Sequence, residues 1–132
     1  MKKIVFMTLA LVGLVMISCN KDQSAVKKLD GTWKSVEQDG SAIADSNQVT
    51  YTFMNCKLKT DEYCDATGKY SDGTTENFEY KVSGDGTIMS WKTDDGQGNT
   101  FELPATIDEL TKTNMTLTFS FIGTTTIKYE KQ

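Results

Sequence analysis

The sequence predicts an all-β domain, an antiparallel up-and-down meander of about eight strands that closes into a small barrel. Three observations point there. From Gly31 onward the apolar residues recur with a period of two, one face per segment. The segments are short, near-regular in spacing, and divided by Gly-, Asp- and Asn-bearing connections of hairpin length. No stretch of this region sustains a helical period. A meander leaves two exposed edges unless its first and last strands pair, so closure is expected.

Thr32 to Gln38 reads as the first strand, ended by Asp39-Gly40, a strong hairpin pair. Val49, Tyr51 and Phe53 alternate with Thr50 and Thr52, which is the pattern of a half-buried second strand. Ala66 to Ser71 is a weaker third, stopped at Asp72-Gly73. Phe78, Tyr80 and Val82 alternate with Asn77, Glu79 and Lys81 in the cleanest strand pattern of the chain. Gly84-Asp85-Gly86 then leads into Thr87 to Thr93, where Met89 and Trp91 share a face. Asp94 to Asn99 is a loop. Phe101, Leu103, Ala105 and Ile107 form the next face, with Pro104 on the other side, which suits an edge or a bulge. Asp108-Glu109-Leu110-Thr111 has room for one helical turn. Met115, Leu117, Phe119 and Phe121 face one way, and Gly123 turns the chain into a last strand carrying Ile127 and Tyr129.

Ahead of the barrel, Met1-Lys2-Lys3 is basic, and Ile4 to Ile17 is apolar but for Thr8 and Gly13. That run is too short to span a bilayer comfortably and suits the core of a signal helix over residues 1–18. Met16-Ile17-Ser18-Cys19 resembles a bacterial lipobox, in which a small residue precedes the Cys that becomes the diacylated N-terminus. Met16 stands where that pattern usually has Leu. The resemblance implies palmitate-type lipidation at Cys19 and a protein held by its lipid anchor on the outer membrane of a bacterial envelope. Asn20-Lys21-Asp22-Gln23 resembles the charged export signal of Bacteroidetes surface lipoproteins. Residues 19–28 read as the lipidated Cys and a polar tether, whose nine residues from Asn20 to Lys28 would reach roughly 15–18 Å. Residues 29–132 are then the barrel domain.

Charge narrows the function. The chain has 14 cationic residues, all Lys, against 18 acids, with no Arg and no His. Loss of Lys2 and Lys3 with the leader leaves 12 Lys against 18 acids, a net charge of −6. Such a surface repels nucleic acid, whose binding rests on phosphate neutralisation. Without His the usual general base and commonest metal ligand are missing, and without Arg so is the bidentate phosphate fork. No catalytic motif, metal site or cofactor motif is apparent, and a non-enzymatic role is expected.

Leu29-Asp30-Gly31-Thr32-Trp33-Lys34 places a Gly-x-Trp at the mouth of the first strand. This resembles the opening motif of lipocalins, and more closely the lipocalin-like domain of small Bacteroidetes-type lipoproteins. Ile107-Asp108-Glu109-Leu110-Thr111 is similar to the segment before the last hairpin of such domains. The resemblance implies a lipocalin-like barrel that binds a small apolar or amphipathic molecule. In lipocalins a cation, usually Arg, caps the motif Trp. Here only Lys128 or Lys131 can take that place, and Lys128 falls on the polar face of its strand. The Thr-Asp-Tyr triplet of the family has no counterpart, the nearest string being Thr93-Asp94-Asp95.

Trp33 reads as a plug for the closed end rather than a ligand contact, since such an aromatic buries a large area. The candidates for a shallow ligand cup are Tyr51, Phe53, Phe78, Tyr80, Trp91, Phe101, Phe119 and Phe121. Eight-stranded barrels either fill with side chains or admit one small ligand, so these rings can equally be plain core. In the filled case the loops become the working surface of an interaction module. Cys56 and Cys64 bracket a loop between two strands, and an exported domain predicts a disulfide there. Closing it would contribute roughly 2.5 kcal/mol. By strand parity the two thiols fall on different faces, which a bulge near Asn55 would reconcile. Metal binding by the pair is the alternative, with two sulfurs and no His leaving the shell incomplete. Ser83 to Gly86 and Asp94 to Asn99 invite a calcium reading, but turn chemistry accounts for them.

Overall fold

Period-two alternation gives the barrel strands a wet face and a dry one, and the sheet of the computed structural model has nine strands. The structure describes residues 21–54, 56 and 61–132. The elements are helix α1 (Lys21–Leu29), β1 (Gly31–Gln38), β2 (Ser41–Ala42), β3 (Thr50–Phe53), β4 (Cys64–Lys69) and β5 (Thr75–Val82). There follow β6 (Ile88–Asp94), β7 (Thr100–Leu110), β8 (Asn114–Phe119) and β9 (Thr125–Lys131). All strand pairs are antiparallel neighbours, and β1 also pairs with β9, from Trp33↔Lys131 to Gln38↔Ile127. Eight strands therefore close into an up-and-down barrel, as the period-two pattern predicts. The ninth, β2, is a two-residue hairpin partner of β1. Asp39 and Gly40 take φ of 49° and 82°, the left-handed pair that a tight two-residue hairpin requires.

One end of the barrel is closed. The segment read as a flexible tether is instead a helix from Lys21 to Leu29, with Ala25, Val26 and Leu29 buried in the core. α1 packs against β5 and β7, so the folded unit begins at least eight residues before Leu29. Nine residues make a marginal helix alone; here the open barrel end supplies the apolar surface that stabilises it. Gly-x-Trp belongs to this end. Trp33 is fully buried, and its indole N–H donates to the Leu29 carbonyl at 2.8 Å. Lys131 Nζ lies 5.3 Å from the Trp33 ring centre and donates to the Lys28 carbonyl. Two of the carbonyls that a helix leaves orphaned at its C-terminus are thereby satisfied, one by a cation at the favourable end of the dipole. Lys128 instead pairs with Glu37 on the outer surface at 2.7 Å.

One expectation along the strands changes. Asp108 to Leu110 continues β7 rather than forming a helical turn, because a bulge between Ile107 and Glu109 absorbs one residue. Ile107 and Leu110, three apart, thus both pack against the core. Pro104 faces Ser90 and lies just past Ala105↔Phe119, the last register pair of β7 with β8. Its missing N–H removes no rung there. Gly68, opposite Tyr51, makes β4 look weak in sequence; a Cβ there would stand 3.1 Å from the Tyr51 ring.

Candidate functional site

The interior is lined from every strand of the barrel. Tyr51, Phe53, Phe78, Tyr80, Trp91 and Phe119 form one network of rings, with centroid separations from 4.9 to 6.5 Å and many edge-to-face pairs. Tyr129 of β9 joins it at 5.9 Å from Tyr51. Six of the eight rings expected at a cup are therefore brought together, and they fill the barrel against one another. Phe101 and Phe121 are not among them. Phe101 is 48% exposed and Phe121 is 74% exposed. The parity of Phe101 is inward, but the first residues of β7 run beyond the end of β8, where there is no interior left to enter. Phe121 lies past the end of β8, in the turn before β9.

Tyr80 is also not a cup residue. Its hydroxyl donates to the Met54 carbonyl at 2.9 Å, toward the connection that follows β3. Burial, with some help from Asp30, pushes its pKa up to about 12. Cys56 and Cys64 are disulfide-bonded with Cα atoms 5.5 Å apart. Cys56 is buried in the core and Cys64 packs against it, although Asn55, where a bulge was expected, lies outside the described residues. The bond ties the start of β4 to the chain leaving β3 at the closed end. Cys19 and the apolar run over residues 4–17 likewise lie outside the described residues, among which no helix is long and apolar enough to cross a membrane.

A recess opens at the other end. A cleft of about 510 Å³ lies between the connection over residues 39–49 and the ends of β1 and β9. Its walls include Val49, Ile43 and Ile127, and its floor carries Ser35, Tyr51 and Tyr129. Ser35 is buried and its Oγ accepts the Val49 N–H at 2.9 Å. The connection is fixed to the barrel by Ile43 N–H to the Val36 carbonyl and by Asp39, which bonds Thr126 through its N–H and its carboxylate. Burial raises the pKa of both Tyr51 and Tyr129 well above the ordinary tyrosine value; Tyr70 and Glu76 add to the effect on Tyr51, and Tyr51 adds to that on Tyr129. Both stay neutral through the physiological range.

Sequence reasoning missed Ser35, Val49 and Tyr129 as site residues. Each sits on a strand that was recognised; only the β1–β9 closure, with Ser35 opposite Tyr129, brings them to one place. The two candidate calcium loops are turns whose carboxylates serve their own donors. Asp85 accepts from the Ser83 and Thr87 hydroxyls and the Thr87 N–H, which pull its pKa down to about 2. Asp95 accepts from Asn99 and Gln97, and its pKa is lowered as well.

Fold and cleft together define a helix-plugged, ring-filled eight-stranded barrel with a hydroxyl-floored recess at its open end. Comparison of the chain with protein-family models, with curated proteins and with solved structures found no match.

Proposed function

We propose that this chain is a lipid-anchored envelope protein with a lipocalin-like barrel, which binds one small apolar or amphipathic molecule at its mouth without transforming it. The observation that carries the reading is the open cleft above a filled barrel. The family resemblance draws support from Trp33 and Lys131, a motif Trp capped by a cation from the last strand. Lipidation at Cys19 and an outer-membrane location rest on the Ser18-Cys19 pattern and the leader before it. On this reading the anchor lies only two residues ahead of α1, which would set the closed end toward the membrane and leave the mouth free. The test is saturable binding of an apolar fluorescent probe to residues 20–132, near one per chain and in the micromolar range or weaker. A folded domain that binds none of a dozen lipids, sterols and dyes removes the carrier reading.

A second reading has its own observation. Phe121 and Ile122, 74% and 90% exposed on the turn over residues 120–124, are the most exposed large apolar side chains among the described residues. They favour an interaction module that meets a protein or glycan with its loops. Loss of partner capture from envelope extract on Phe121→Ser and Ile122→Ser, with probe binding unchanged, would select this reading.

A further inference from the structure

Three tyrosines enter the ring cluster, and their hydroxyls end differently. That of Tyr80 is spent on the Met54 carbonyl. Those of Tyr51 and Tyr129 have no hydrogen-bond partner among the described residues. Tyr129 is 2% exposed, yet its hydroxyl is not sealed off, so the polar tip is what this residue shows to the cleft. Beside it, Ser35 accepts from the Val49 N–H and keeps its own proton to give. A hydroxyl cluster at the bottom of a recess whose walls mix Ile43, Val49 and Ile127 with Gln38, Ser41 and Asn47 asks for a partner that can both accept and donate.

The charges around the recess restrict that partner. Asp39 is the one ionisable carboxylate on its lining, and no Lys lines it. An anion entering the cleft would lose water, meet a carboxylate at the rim and find no cation on the floor. The phenols stay protonated, held so first by burial. The floor can therefore hydrogen-bond a neutral group but cannot neutralise a charge.

We infer that the mouth cleft takes a neutral amphiphile whose single hydroxyl or carbonyl enters first and bonds Tyr51 and Tyr129, with its apolar part along Val49, Ile43 and Ile127. Fatty-acid carboxylates of the same length are excluded. This rests on the carrier reading and gives that reading a site and a ligand class.

The test is isothermal titration calorimetry of residues 20–132 with 1-octanol, 2-octanone and octanoate at pH 7. Octanol and octanone should bind at one per chain, and octanoate at least tenfold more weakly. Tyr129→Phe and Tyr51→Phe keep the rings in the core, and each should weaken octanol about three- to tenfold, the effect of one lost hydrogen bond. Near-UV circular dichroism reports whether the ring packing of each variant is intact. Octanoate binding as tightly as octanol overturns the inference. So does unchanged octanol affinity in both folded variants, which leaves the carrier reading standing with its site elsewhere. If none of the three probes binds and the dozen lipids and dyes fail as well, both fall together.

Discussion

The ammonium of Lys131 sits 5.3 Å from the centre of the Trp33 ring and donates a 3.2 Å hydrogen bond to the Lys28 carbonyl. One cation thus joins the last strand, the first strand and the helix that plugs the barrel. Gly31 makes the approach feasible. Its φ is +121°, and a Cβ there would stand 2.9 Å from Lys131 Cε. Lys131→Met should cost about 1 kcal/mol in urea unfolding, and Lys131→Arg should recover most of it. Gly31→Ala should cost more, about 1–3 kcal/mol, since backbone strain adds to the clash. Equal stability of Gly31→Ala and wild type would mean the junction is looser than this geometry.

The helix belongs to the fold. Leu29 is fully buried beneath the barrel, so Leu29→Ala should destabilise by about 2–5 kcal/mol. A chain beginning at residue 30 should unfold at clearly lower urea than one beginning at residue 20. Matching midpoints would restore the tether description.

The crosslink should be worth a measurable amount. Reducing Cys56–Cys64 should lower stability by about 2–3 kcal/mol and Tm by on the order of 10 °C. Two thiols open to alkylation in freshly isolated folded protein would contradict it.

Alkali should act through the buried phenols. In the folded protein burial raises the pKa of Tyr80, Tyr51 and Tyr129 above the ordinary tyrosine value of 10.0, that of Tyr80 to about 12. Groups raised in this way leave stability intact below pH 10, and it drains away as pH climbs from 10 through their folded values. Absorbance at 295 nm should therefore show three tyrosines that ionise only together with loss of the near-UV dichroism signal. Smooth titration of all five near pH 10 in the folded protein would contradict the filled interior.

Much of this architecture was legible because period-two alternation is a local signal. The strand carrying Phe78, Tyr80 and Val82 announced itself, and Asp39-Gly40 named its own turn. What stayed hidden depends on distant partners. In Lys21–Leu29 only Ala25, Val26 and Leu29 are apolar, too few to signal a helix until a barrel end is there to receive them. The pair Ile107 and Leu110 mimics helical spacing, and only the pairing with β8 reveals a bulge. Parity told which face Phe101 and Phe121 share with the core, but not that the barrel ends before reaching them. The cleft was the least legible part, because Ser35, Tyr51 and Tyr129 come from three strands that meet only on closure.

In the proposed carrier the barrel is filled and the ligand sits at the mouth. Amide and methyl chemical shifts of residues 20–132, followed while octanol is added, test it most directly. Saturable shifts are expected at Val49, Ile43 and Ile127, with Met89, Leu117 and Val82 of the buried core unmoved. Shifts centred on those core residues, or no saturable shift anywhere in the folded domain, would contradict it.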